Sequence, residues 1–365
     1  MMNEPDHQYL TLHEFISEAK RRVTPGTWDY LVGGTETETT VLRNRMALDM
    51  QAFRPRVLRD VSDIDTSASY FGKKISIPVA LAPVGGLENF DTDGGAPAAR
   101  AATKFGVPTI VSSVSAPGLK LMAEASGSGP RVFQLYVRGD RGWCDDIVHQ
   151  AMDAGYEAFC LTVDTAIYSR RERDIAKRFV KPWRARAVGH NFQAALNWDY
   201  VKHFKGTHSV PLVLKGIATA EDAVMACDHG VDVVYVSNHG GRQLDHGRGA
   251  LDVLPEVVKA VAGRAKIWMD GGISRGSDVV KAMALGADLV AIGRLYCYGL
   301  ATAGEDGVHR VLELLQTEIH EVMGLLGCRS FADLNPSYLH AAPAVCPPSL
   351  HSAFPLLNLT DPGYR

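Results

Sequence analysis

The run Ser237-Asn238-His239-Gly240-Gly241-Arg242 sets a histidine and an arginine three residues apart on a segment that glycine leaves free to turn sharply. Arg170-Arg171 supplies a second guanidinium, and Asp164 stands a few residues before it. Two guanidiniums make a fork for a carboxylate, with parallel donors that lysine cannot present. A neutral imidazole beside that fork can take a hydroxyl proton, an effect worth about 10²–10⁴ in rate. A carboxylate such as Asp164 would orient the ring and stabilise it once charged. No serine or cysteine stands in a nucleophile elbow to compete for the role, and His, Asp and Glu show no H-x-x-x-H spacing to favour a metal. A carboxylate clamp with a base beside a hydroxyl suits oxidation, but side chains cannot accept two electrons, so a cofactor is required. Gly271-Gly272 and Gly293-Arg294 are candidates for holding its anionic group, the glycines by close backbone approach and Arg294 by charge.

These groups need a scaffold that brings them to one rim. Eight short apolar runs supply it: 77–83, 108–113, 131–137, 158–164, 211–216, 231–238, 266–272 and 289–294. Near-continuous apolar runs suit strands buried on both faces of a parallel sheet. Helical stretches lie between most of them. An alanine-rich one ends before Gly106, one follows the cap residue Thr219, and one opens at Gly276-Ser277-Asp278. The fold class expected is therefore α/β, a (β/α)8 TIM barrel. Two Rossmann-like halves are the alternative, but no strand leads into G-x-G-x-x-G. Catalytic groups in such barrels come from the C-terminal ends of strands. Those ends carry Ser112, Gln134, Tyr136, Thr162, Asp164, Lys215, Ser237, His239, Asp270 and Arg294. A lone histidine or lysine means little; their joint placement on one rim indicates an active site.

The organisation expected is one domain over residues 1–365. It comprises a helical segment over about 1–60, a barrel over about 75–330 and a tail from 331. Residues 11–52 read as a pair of helices broken at Gly33-Gly34. The long stretch between Asp164 and Pro211, with Arg171, Arg173, Trp183 and Trp198, reads as an elaborated loop over the mouth after the fourth strand. Glu305–Leu326 reads as an amphipathic helix, and the proline-rich tail from Pro343 as irregular.

Composition narrows the function classes. The 365 residues are 46% hydrophobic and 22% charged, with a net charge of -3. That balance argues against nucleic acid as the main partner, and the basic run 181–186 reads as solvated loop. Asp6, Glu14 and Glu18 do not suit a secretory signal, no stretch is apolar enough to span a membrane, and the last residues match no lipidation or peroxisomal address. Six scattered cysteines without a C-x-x-C pair fit structural thiols in a reducing compartment. A cytoplasmic location is expected.

At this point the residues resemble the FMN-dependent 2-hydroxy acid oxidase and dehydrogenase family, which includes glycolate oxidase, lactate oxidase and mandelate dehydrogenase. The resemblance runs from about Phe15 to Arg329. It rests on Trp28-Asp29-Tyr30, Phe53-Arg54-Pro55-Arg56, Gln134-Leu135-Tyr136 and Leu161-Thr162-Val163-Asp164-Thr165. Arg170-Arg171-Glu172, Leu214-Lys215-Gly216, Asp270-Gly271-Gly272, Gly293-Arg294 and above all the specific signature from Ser237 to Gln243 complete it. The resemblance implies FMN, with its phosphate at Gly293-Arg294 and the loop of Gly271, Gly272 and Ser274. It places Lys215 beside the flavin's N1/O2 edge. Pro83, Val84 and Gly85, then Ser112, Gln134 and Thr162, then Ser237 and Asp270, would complete the cofactor site. His239 becomes the base, Asp164 its partner, and Arg171 and Arg242 the carboxylate clamp, with Tyr30 and Tyr136 touching substrate.

Departures from the family pattern bear on substrate. A-P-T-A reads Ala82-Pro83-Val84-Gly85, S-S-W reads Ser112-Ser113-Val114, a leucine appears as Tyr168, and an arginine pair reads Ser274-Arg275. The expectation is a widened pocket taking a 2-hydroxy acid larger than glycolate, mandelate-like or a longer aliphatic one. Oxygen or a soluble carrier would accept the electrons, and the resemblance implies a homo-oligomer, a homotetramer. Two alternatives stand beside this: a flavoenzyme oxidising an elaborated biosynthetic alcohol or amine, and a non-catalytic barrel scaffold.

Overall fold

The structure is a computed structural model, and it describes residues 8–179 and 191–357. The basic run 181–186 and Trp183 lie outside the described residues. The N-terminal segment forms three helices, α1 (Leu12–Arg22), α2 (Pro25–Val32) and α3 (Thr39–Asp49), where the sequence reading expects two. The extra break has a local cause. Val23 leaves the helix in extended conformation, Thr24 caps the next one through its hydroxyl, and Pro25 follows at the position where a missing N–H costs nothing.

Short strands follow: β1 (Gln51–Phe53), then the hairpin β2 (Ala68–Tyr70) and β3 (Lys73–Ile75). The eight expected runs become β4 (Val79–Leu81), β5 (Thr109–Ser112), β6 (Arg131–Leu135), β7 (Ala158–Thr162), β8 (Leu212–Ile217), β9 (Val233–Val236), β10 (Lys266–Met269) and β11 (Leu289–Ile292). All are parallel, and β11 pairs with β4 to close the barrel. The helices between them are α4 (Ala96–Phe105), α5 (Leu119–Ser126), α6 (Arg141–Asp153), the short α7 (Glu172–Ala176), α8 (Trp198–Thr207), α9 (Ala220–Asp228), α10 (Ala250–Val261) and α11 (Gly276–Ala284). The last helix, α12 (Arg294–Leu326), begins directly after β11 and kinks at Ala303-Gly304, so it extends well before the expected Glu305.

Side-chain alternation explains why the strands read as unbroken apolar runs. In β9, Val234 and Val236 face the helices, while Val233 and Tyr235 point into the barrel with Cys160, Val213 and Trp268. The β2–β3 hairpin, absent from the sequence reading, inserts Tyr70 and Ile75 into that inner cluster, with Tyr70 stacked 6.0 Å from Trp268. The hairpin thus plugs one end of the barrel.

The stretch between β7 and β8 departs from the expected mouth loop. Arg171 and residues 191–193 do reach the cavity, but Trp198 starts α8 and packs 5.1 Å from His229, away from it. Arg173 turns outward to Glu38 at 2.6 Å. The tail holds one regular element, β12 (Leu339–Ala341), antiparallel to β1, before its irregular course. No helix among the described residues is long and apolar enough to cross a membrane.

Candidate active site

The open end of the barrel holds a cavity of about 660 Å³. Its walls include Tyr30, Val84, Gly85, Val114, Tyr136, Tyr168, Arg171, Lys215, His239 and Arg242. At its far end stand Asp270, Gly271, Gly272, Ser274, Gly293 and Arg294. Ser112, Gln134, Thr162 and Ser237 lie beneath this wall, each almost wholly buried.

His239 sits at the centre, in the left-handed region at φ 58°, which a non-glycine residue occupies only when its surroundings force it. The surroundings here are specific. Its backbone N–H donates to Ser237 Oγ (3.1 Å), and its Nδ1 lies 3.1 Å from Asp164 Oδ1. With the ring proton directed at Asp164, Nε2 accepts from the Tyr136 hydroxyl at 3.1 Å. Burial holds the His239 pKa below its ordinary value, with Asp164 acting in the opposite sense and Lys215 adding to the depression. Burial works to raise Asp164, but His239 and Lys215 prevail and keep it ionised below the usual carboxylate range. The ring is thus neutral at neutral pH, with an anion behind it to stabilise the protonated form. Gly216 makes this possible: a Cβ there would stand 2.8 Å from Asp164 Cβ.

Lys215 and Asp270 form a second linked set. The ammonium donates to Ser237 Oγ (2.8 Å) and lies 3.3 Å from Asp270 Oδ2. Asp270 also accepts from Ser237 and from Tyr235. Burial disfavours the Lys215 charge, yet Asp270 and Asp164 outweigh it and hold its pKa above the ordinary lysine value.

The three arginines differ from these groups. Arg242 donates to the carbonyls of Tyr30 (2.7 Å) and Gly33 (2.9 Å) and stacks 4.8 Å from the Tyr30 ring. Arg171 donates to the Arg242 carbonyl, Ser169 Oγ and Gln243 Oε1, and lies over the Tyr168 ring at 4.9 Å. Arg294 donates to the carbonyls of Leu31, Gly240 and Gly33. Among the described residues their hydrogen-bond partners are neutral oxygens. Burial and the facing Arg171 pull Arg242 down to about 10, and burial lowers Arg294 also. Such an arrangement is stabilised by bound anions. Tyr30, expected to touch substrate, has its hydroxyl on the Gly85 carbonyl at 2.7 Å.

Several glycines serve the N-terminal helices as well as any ligand. A Cβ on Gly271 or Gly272, both at positive φ, would stand about 3 Å from Asn44 of α3, and one on Gly241 would meet Val41. Asn44 and Asn238 exchange amide hydrogen bonds (2.9 and 2.7 Å), and Asp245 accepts from Thr37 and from the Thr40 N–H at the start of α3. Through these bonds α3 fixes the loop that carries His239 and Arg242. Residues the sequence reading missed on the cavity wall include Arg138, Gln193, Tyr298, Leu350 and Phe354. Gln193 carries no local sequence signal, because its role is made at a distance: it accepts from the Val137 N–H and donates to the Thr162 carbonyl.

Two expectations about the departures need correction. Gly85 does not add space to the loss of tryptophan at 114. A Cβ on Gly85 would stand 2.5 Å from Val114 Cγ2, so valine fills the room a methyl would have taken. Nor does Arg275 serve the cavity: it pairs with Glu318 at 2.5 Å, which leaves Ser274 alone on the wall.

The site fits FMN chemically. Gln134 is fully buried, donates to Thr162 Oγ1 (2.8 Å), and its Oε1 has no partner among the described residues, as expected of an acceptor reserved for a ligand N–H. Lys215 is a buried cation suited to a flavin edge, and Gly293-Arg294, at the start of α12, suits a phosphate. Among the described residues no His, Cys, Asp and Glu set could hold a metal ion.

Comparison with known proteins agrees with this geometry. The FMN-dependent dehydrogenase family profile matches residues 19–341. The chain is 37% identical to an L-lactate oxidase of Nostoc sp. over 357 residues, covering 91% of this chain and 98% of that one. It is 39% identical to glycolate oxidase 1 of Oryza sativa subsp. indica over 349 residues, covering 90% and 94%. A solved mandelate oxidase with 3,3-difluoro-2-hydroxy-3-phenylpropionic acid superposes with a TM-score of 0.85 at 39% identity, covering 92% of this chain and 100% of that one. The chain belongs to the FMN-dependent 2-hydroxy acid oxidase family, and it is an oxidoreductase acting on the hydroxyl group of a 2-hydroxy acid.

Proposed function

We propose that this chain oxidises a 2-hydroxy acid larger than glycolate, mandelate-like or longer aliphatic, to the 2-oxo acid. One observation carries the reading: a neutral, anion-backed histidine stands in one cavity with guanidiniums whose partners are neutral oxygens. Arg171 and Arg242 hold the substrate carboxylate, which orients the carbinol carbon. His239 Nε2 takes the hydroxyl proton, the Tyr136 hydroxyl donates to the developing alkoxide, and Asp164 stabilises the imidazolium. Bound FMN supplies the two-electron acceptor. Lys215 supplies fixed positive charge beside it, and Gln134, Thr162, Ser112 and the segment Pro83–Gly85 hold its ring system. Oxygen or a soluble carrier then takes the electrons, as the oxidase relatives suggest.

The size preference rests on Val114 in place of an indole and on Tyr168, whose ring offers an aromatic face. Burying a branched or aromatic substituent is worth roughly 1.5–3 kcal/mol, a ten- to hundred-fold preference. The likeness to mandelate oxidase supports it. One barrel domain, a cytoplasmic location and a homotetramer belong to the same reading and rest on composition and family resemblance. Anaerobic stopped-flow reduction with glycolate, lactate, 2-hydroxyoctanoate and mandelate tests it. Glycolate as the best of the four would overturn the size preference, and reduction by none of them would overturn the substrate class.

A further inference from the structure

The matched family span ends at residue 341, yet the cavity wall does not. Leu350 and Phe354, from the tail, line it beside Ser274, Arg294 and Tyr298. The segment 349–354 is held there from four directions. Ser352 Oγ donates to Asp49 Oδ2 at the end of α3 (3.2 Å), and His351 Nε2 is 3.0 Å from the Tyr298 hydroxyl on α12. Phe354, 2% exposed, meets His13 of α1 edge-on at 5.5 Å. Arg275, before α11, donates to the Ala353 carbonyl and lies 5.8 Å from the Phe354 ring while paired with Glu318. An irregular strand of chain anchored at this many points is positioned, not merely deposited on the surface.

The geometry points to this segment as a wall of the cofactor site that closes its phosphate end. Leu350 and Phe354 provide an apolar cover, and Arg275 is the clasp that keeps it in place. The inference rests on the flavin site above but not on the identity of the hydroxy acid. An apolar cover excludes water from the anion and Arg294, and electrostatic attraction strengthens as the local dielectric falls. The segment lies beyond the stretch that the family profile matches.

The test uses full-length apoprotein, titrated with FMN and separately with riboflavin, which lacks the phosphate, by quenching of flavin fluorescence. Phe354→Ala should raise the FMN Kd about ten-fold, the cost of losing a packed aromatic cover. Leu350→Glu should weaken FMN about ten-fold and Leu350→Lys should not, because the substituted charge faces a dianion. Riboflavin affinity should be the same in both Leu350 variants. Circular dichroism and the Tm of each apoprotein identify variants that fail to fold, and the opposite Leu350 charges decide the matter if Phe354→Ala is one of them. Equal FMN affinity in the Glu and Lys variants overturns the proposal, as does an equal shift for FMN and riboflavin. Wild-type apoprotein that takes up riboflavin as tightly as FMN overturns it through the phosphate site itself, whereas a failed substrate screen leaves it untouched.

Discussion

The cavity carries two sets of charged groups built on opposite principles. His239 and Lys215 each have a counter-charge in contact: Asp164 behind the imidazole, Asp270 beside the ammonium. Among the described residues, Arg171, Arg242 and Arg294 donate to neutral oxygens, with carboxylates acting on Arg242 and Arg294 only from a distance. The first set is paired before ligands arrive, which suits it to holding protonation states. The second set is an excess of positive charge, costly by itself, of the kind that bound anions relieve.

That contrast can be broken experimentally. The largest effect is expected in the first set. His239→Ala should retain FMN but slow flavin reduction by about 10²–10⁴, the range of a general base. Near-normal reduction in stopped flow would remove His239 from the mechanism. In the second set, Arg242→Met should raise KM strongly and lower kcat too, because the proposed clamp on the carboxylate positions the reacting carbon. Arg242→Lys should rescue poorly. An ester of the acid oxidised as well as the free acid would show that no clamp exists.

Acidity sharpens the comparison further. On the proposed role of His239 as a neutral base, kcat/KM should rise with pH through its pKa and be lost as the ring protonates. Burial should place that limb below the ordinary histidine value, so the proposed activity should be retained at neutral pH. In Asp164→Asn the charge that raises the His239 pKa is gone. The limb should then move to still lower pH while the maximal rate falls. A limb displaced upward in the pH profile would contradict the pairing.

Smaller effects are expected at the pocket roof. Val114→Trp should shift preference toward glycolate by about ten-fold or more, read as a ratio of kcat/KM values. Gly85→Ala should destabilise through its contact with Val114, and Val114→Ala should relieve it. A double-mutant cycle on Tm should therefore give coupling of about 0.5–3 kcal/mol. Additive effects would mean that the two positions do not share one space.

The barrel was legible because both faces of β4–β11 are buried, so each strand reads as an uninterrupted apolar run. The chemistry was legible for a related reason: charged side chains at strand ends have few structural duties. What escaped were arrangements made between distant segments. Nothing local in Ser274-Arg275 says that Glu318 captures the arginine, and nothing in Gly85 says that Val114 fills its space. The glycine pair Gly271-Gly272 does line the cavity, but nothing local says that it also packs against Asn44 of α3. The β2–β3 hairpin and the β1–β12 pair are strands of three residues, too short to carry a periodic signal.

The hairpin that inserts Tyr70 and Ile75 beneath Trp268 makes the barrel a cup with a single lip. Substrate and product of the proposed reaction would share the opposite mouth, past the same arginines. The oxo acid keeps its carboxylate, so it should compete with the hydroxy acid for that doorway, and added product should slow initial rates.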